Sequence, residues 1–164
     1  MKLDVSGRMH DFMGNSVPVR GSQRIFVVDD DDDTREALVR ELSEDGHEVL
    51  GFANGAQLTA RLEAVARDGV KGPDLIAMDV RMPGRSGIGL LEDLRREGWR
   101  TPIVLYSSFV DTDLRFRADL AGLADVIPRP FDVDELRAAA LRARTRFQSF
   151  DPTERRWFRI RRAA

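Results

Sequence analysis

The chain has no cysteine among its 164 residues. That excludes disulfides and any thiolate metal site, and it is compatible with a reducing cytoplasm. Only two histidines occur, His10 and His47. They stand isolated and are read as solvated or packing residues. Lys2 near the start has no apolar run behind it, which argues against a secretory signal. No stretch approaches the length of a transmembrane helix. A cytoplasmic setting is therefore expected. Hydrophobic residues make up 42% and charged residues 33%, the balance of a globular protein with a real core. The length suggests one domain with short appendages. The formal net charge of −2 hides an asymmetry. From Arg137 onward nine arginines oppose Asp151 and Glu154, which gives +7 and leaves −9 for the remainder. The body is acidic and the tail basic.

Residues 1–23 are mixed and aperiodic and read as a flexible leader. Arg24 to Asp29 is a β-branched apolar run, the mark of a strand buried on both faces. A helix follows with Ala37, Leu38 and Leu42 on one face. Asp31, Asp32 and Asp33 lie at its start, where carboxylates suit free amides, and Gly46 ends it. His47 to Ala53 is a second strand. Asn54-Gly55 opens a helix carrying Leu58, Leu62 and Val65, closed near Asp68-Gly69. Asp74 to Asp79 is a third strand. The longer stretch before it, Asp68 to Pro73, has no functional reading. Met82-Pro83-Gly84 breaks the chain before a helix at Ile88 to Leu94; Met78 and Met82 read as packing residues. Ile103 to Tyr106 is a fourth strand, Asp111 to Ala121 a weaker helix, and Asp125 to Pro128 a fifth strand. Asp132 to about Arg146 is a strong helix, with Glu135 at the capping-box spacing from Asp132. Alternating strands and helices require crossovers. The expected fold is α/β, a doubly wound five-stranded parallel sheet with helices on both faces.

In such sheets the functional crevice lies beyond the carboxyl ends of the strands. Strand one ends in Asp29-Asp30 and strand three in Asp79. Strand four ends in Tyr106-Ser107-Ser108 and strand five in Arg129-Pro130-Phe131. Crowded carboxylates repel and call for a cation. Oxygen ligands without His or Cys favour Mg²⁺. A carboxylate can also attack a phosphoryl group to form an acyl phosphate. A metal, a cation and a hydroxyl would hold the phosphoryl oxygens. These residue types suffice for phosphoryl transfer onto Asp.

The stretches FVVDDDDDTREAL, PDLIAMDVRMPGRSGIGLLEDLR, TPIVLYSS and RPFDVDEL resemble the bacterial response-regulator receiver family, at its spacing throughout. The resemblance covers 24–148 and implies the flavodoxin-like receiver fold. It also implies a two-component phosphorelay role, with Asp79 as phosphoacceptor. Asp29 and Asp30 match the acidic pair that binds Mg²⁺ together with Asp79 and the backbone carbonyl of Arg81. Ser107 matches the hydroxyl that contacts the phosphoryl group, with Ser108 as its substitute. Arg129 stands where the family has Lys, and Pro130 where it has a typically cis proline. Val126 stands where the family often has a Tyr or Phe that turns inward on activation. The departures at Arg129 and Val126 open a second reading, a phosphorylation-independent interaction module. The implied partners are a sensor histidine kinase or histidine phosphotransfer protein and a downstream protein target. Signalling would work through altered protein–protein binding. Beyond self-catalysed phosphoryl transfer and autodephosphorylation, no enzymatic turnover is expected.

Two other motifs compete for the acidic run. An EF-hand loop fails because Arg35 sits where it needs Gly and Arg40 where it needs Glu. Asp30-x-Asp32-x-Thr34 resembles the nucleophile motif of haloacid-dehalogenase-type phosphatases, but the Lys that motif wants is missing. The tail at 149–164 mixes arginines with Trp157 and Phe158. It would suit a weak anionic partner, nucleic acid or membrane surface, or would fold back onto the domain. It is too short for a recognised DNA-binding output domain. The expectation is thus a stand-alone receiver without sequence-specific DNA binding.

Overall fold

The computed structural model describes residues 2–3, 9–10 and 21–148, the last four by backbone only. Lys2–Leu3 and Met9–His10 form a two-residue antiparallel ladder. Most of the expected leader, and all of the expected tail, lie outside the described residues. The remaining elements divide into two units by contact, residues 1–77 and 78–164.

The first unit carries β1 (Arg24–Val28), α1 (Asp32–Glu44), β2 (Glu48–Phe52) and α2 (Gly55–Asp68). β1 and β2 pair in parallel, Arg24 opposite Glu48 and Val28 opposite Phe52. Ile25 to Val28 are all buried, as the run of apolar residues requires. Asp31 caps α1, its carboxylate accepting the Thr34 amide at 2.8 Å. Asn54 caps α2 in the same way through Gln57, at 2.9 Å. Gly69 closes α2 at φ 65, a left-handed conformation that a side chain disfavours. Leu58, Leu62 and Val65 are the buried stripe of α2. Each such leucine contributes about 1.5–3 kcal/mol by leaving water. His47 has a packing role, its Nδ1 accepting the Gln23 amide at 3.2 Å. The stretch before the third strand is docked by Arg24. That residue's amide donates to Asp74 at 2.8 Å, and its guanidinium reaches the Lys71 carbonyl and Glu48.

The strand Leu75–Asp79, β3, leads into the second unit. There follow α3 (Gly87–Arg96), β4 (Ile103–Ser107), α4 (Thr112–Ala121), β5 (Ala124–Pro128) and α5 (Val133–Gln148). Every residue of β3 and β4 is buried. β4 and β5 pair in parallel, with Ser107 opposite Pro128. The capping box of α5 forms as expected. The Glu135 amide donates to Asp132 at 2.8 Å, and Glu135 accepts the Asp132 amide at 2.9 Å. Arg117 grips Glu92 with two bonds of 2.8 Å, tying α4 to α3.

The sheet order is β2-β1-β3-β4-β5, five parallel strands with five helices. The doubly wound expectation holds. The boundaries differ slightly: β1 stops at Val28, leaving Asp29 beyond the ladder, while α3 extends one residue before and two past the expected span.

One connection stands out energetically. Leu123, between α4 and β5, is a buried non-glycine residue at φ 52. Arg95 lies against this turn. Its guanidinium donates to four backbone carbonyls, those of Trp99 (2.8 Å), Thr101 (2.9 Å), Gly122 (3.0 Å) and Leu123 (3.1 Å). Burial, with a smaller push from Arg100, lowers its pKa to about 10, which leaves it cationic at neutral pH.

Candidate functional site

Asp29 follows β1 and is fully buried. Its Oδ1 accepts the Asp31 amide at 3.0 Å, and its own amide donates to the Phe52 carbonyl. Arg35 Nη1 donates to the Asp29 carbonyl at 2.6 Å, holding the backbone where the strand ends. Asp30 is exposed. Asp32 and Asp33 sit in the first turn of α1, with Asp32 paired to Arg35. Both residues sit at the helix start.

Asp79 is the last residue of β3 and is buried. Its Oδ1 accepts the Arg81 amide at 3.3 Å. Its Oδ2 lies 3.8 Å from Arg129 Nη2, an ion-pair distance rather than a hydrogen bond. The loop after it is held by Gly87, whose amide donates to the Val80 carbonyl at 2.9 Å. A Cβ on Gly87 would collide with the Asp79 carbonyl oxygen. Gly87→Ala is therefore expected to destabilise the chain by about 1–3 kcal/mol through forced backbone displacement. A urea titration would show it as a lower midpoint, and an unchanged midpoint would contradict the close packing.

Ser107 ends β4 and is buried, whereas Ser108 is exposed. The Ser107 hydroxyl closes a turn on Phe109, donating to its carbonyl at 2.9 Å and accepting its amide at 3.1 Å. Arg129 follows β5. Its amide donates to the Ser107 carbonyl at 2.8 Å, and the Arg129–Pro130 peptide is cis, as expected. Its guanidinium lies 4.8 Å from the centre of the Tyr106 ring. Tyr106 is itself buried, with the Phe131 ring 5.0 Å away. Val126 is buried and lines a cavity of about 420 Å³ with Arg115, Phe131, Glu135 and Arg142. The Tyr106–Arg129 contact had no sequence signal beyond an aromatic residue in an apolar strand.

Asp29 and Asp30 follow β1 in the first unit, and Asp79 ends β3 in the second; each offers a carboxylate oxygen. An all-oxygen, triply acidic set fits a hard divalent cation such as Mg²⁺ and disfavours softer metals. No helix among the described residues is long and apolar enough to cross a membrane.

Comparison with known proteins agrees with this geometry. Residues 25–141 match the family "Response regulator receiver domain". The DNA-binding transcriptional regulator NtrC of Escherichia coli K12 is 36% identical over 124 residues, 76% of this chain and 25% of NtrC. Response regulator MprA of Mycobacterium leprae is 38% identical over 125 residues, 75% of this chain and 52% of MprA. The structure of response regulator TrrA of Thermotoga maritima, in complex with Mg²⁺-BeF, has 29% identity and a TM-score of 0.59. It covers 74% of this chain and 98% of TrrA. The chain spans only a quarter to a half of the curated relatives' length. This corrects one expectation. The expected absence of a sequence-specific DNA-binding domain is contradicted: NtrC is a DNA-binding regulator in which the receiver region that this chain matches is joined to further domains. The physical reason is modularity: a receiver carries its own core, and its sequence says nothing of what is joined to it. The chain belongs to the response regulator receiver domain family.

Proposed function

We propose that the chain is a phosphorylation-operated switch of two-component signalling that accepts a phosphoryl group on Asp79. The supporting observation is the Asp79 carboxylate itself, at the carboxyl end of a buried strand, with the Arg129 guanidinium near it. One Asp79 oxygen would attack the phosphorus of a donor. The bond from phosphorus to the donor's leaving atom breaks, the imidazole nitrogen of a phosphohistidine or the carboxylate oxygen of acetyl phosphate; that atom keeps the electron pair, and an acyl phosphate results. Asp29, Asp30, Asp79 and the Arg81 carbonyl would hold Mg²⁺, which would neutralise charge on the phosphoryl oxygens. Arg129 would pair with one phosphoryl oxygen. The Ser107 hydroxyl would turn from Phe109 to donate to another. Water attack on the acyl phosphate returns the carboxylate and inorganic phosphate. The chain turns over no separate substrate, works in the cytoplasm, and signals by a change in what its surface binds.

The test uses acetyl phosphate as donor. With Mg²⁺ the chain should gain one phosphoryl group by intact mass. With excess EDTA, uptake should slow at least about 100-fold, since metal neutralisation supplies several kcal/mol of the barrier reduction. No uptake with Mg²⁺ would refute the proposal.

A second reading follows from the 3.8 Å approach of Arg129 to Asp79. There the guanidinium acts as a permanent counter-ion and the surface is fixed. It requires weak Mg²⁺ binding and partner binding insensitive to Asp79→Ala.

A further inference from the structure

We propose that Tyr106 is a positioning residue for phosphoryl transfer, holding Arg129 where it meets the group carried by Asp79. The proposal rests on the phosphoacceptor reading and extends it to a residue with no assigned role.

The argument begins with the cation. A guanidinium is broad, planar and weakly hydrated, on a long side chain with large rotamer entropy. Left alone near a carboxylate it would sample many poses. Here three features limit it. The Arg129 amide is bonded to the Ser107 carbonyl, which fixes its backbone to the end of β4. Prolines flank it on both sides. Its guanidinium carbon lies 4.8 Å from the Tyr106 ring centre, inside the range where a cation is attracted to a ring face. The ring is immobilised in turn, being fully buried with Phe131 5.0 Å away at 45°.

The remaining distance matters as well. Arg129 Nη2 stands 3.8 Å from Asp79 Oδ2, too far for a hydrogen bond. A phosphoryl group added to Asp79 carries oxygens beyond the carboxylate, and these would shorten the contact. The ring thus holds the guanidinium short of the bare acceptor and ready for the phosphorylated one. Lysine, a compact ammonium, would not need such a platform. The pairing of Arg129 with Tyr106 explains how the departure at 129 is accommodated.

Four variants test this with acetyl phosphate, Mg²⁺ and intact-mass kinetics: Tyr106→Phe, Tyr106→Leu, Arg129→Gln and the double variant Arg129→Gln/Tyr106→Leu. Tyr106→Phe keeps the ring face and should stay within about twofold of the unmodified chain. Tyr106→Leu should slow uptake roughly tenfold. In the Arg129→Gln background the leucine substitution should change the rate less than about twofold, because no cation is left to position. Equal rates for the Phe and Leu variants would overturn the proposal. So would the same tenfold loss in the Arg129→Gln background, which would mark a purely structural role. If Tyr106→Leu fails to fold, Tyr106→Met fills the ring's volume and is held to the same comparison. No uptake by the unmodified chain would instead refute the phosphoacceptor reading, a separate outcome.

Discussion

Asp79→Asn is expected to abolish phosphoryl uptake from acetyl phosphate, with no mass gain over the time in which the unmodified chain is fully labelled. The amide is nearly isosteric and keeps an oxygen for the Arg81 amide, so the strand end should persist. What it loses is the anionic nucleophile. A neutral amide oxygen attacks phosphorus poorly, and the activated side chain is lost altogether. It also removes one of the three carboxylates proposed to hold Mg²⁺, so Mg²⁺ affinity should fall in the same variant. Neither Asp29 nor Asp30 should take over. Asp29 is fully buried and accepts the Asp31 amide, while exposed Asp30 has no cation comparable to Arg129 among its described contacts. Labelling that persists in Asp79→Asn would move the acceptor elsewhere and undo the functional reading.

Arg95→Met should destabilise the chain by about 3 kcal/mol or more, at least as much as Gly87→Ala. Methionine keeps much of the apolar stem but removes the donors of four backbone bonds. The Leu123 carbonyl keeps the Ile103 amide at 2.9 Å, and each part-buried carbonyl deprived of the guanidinium costs up to about 1–3 kcal/mol, less where water can enter. The Gly122 and Leu123 carbonyls belong to a turn that already holds a non-glycine residue at φ 52. Without the guanidinium, that strained conformation keeps only its backbone bonds, from the Gly122 amide to the Ala118 carbonyl and from the Ile103 amide to the Leu123 carbonyl. For a domain of this size the change corresponds to a fall in Tm of about 10 °C. Urea and thermal unfolding would measure it. A loss below about 1 kcal/mol would mean that water replaces the guanidinium at little cost.

Legibility in the sequence followed the range of the interaction. Asn54 and Gly69 around α2, and Asp132 with Glu135 at α5, act on their own helix ends, so spacing alone reveals them. The buried strands were legible because β-branched runs such as IFVV have no other stable placement. The order of acidic and hydroxyl residues at the strand ends pointed to the candidate site, since parallel strands deliver those ends to one side. Arg95 was not legible. In sequence it is one arginine of a polar helix end, and only packing brings four carbonyls to it from segments up to 28 residues away. Tyr106 was hidden for the opposite reason, because an aromatic side chain within an apolar strand reads as core. Gly87 gave no signal, since its need arises from a neighbouring backbone and not from its own dihedral angles.

The outermost strands carry a further consequence. β2 is exposed at Glu48 and Gly51, and Glu48 is engaged by Arg24. β5 ends in Pro128, with Pro130 soon after, and neither has an amide hydrogen to offer. A charged rim on one side and a donor-poor rim on the other make poor templates for a foreign strand. Addition of a foreign strand at either rim is therefore disfavoured.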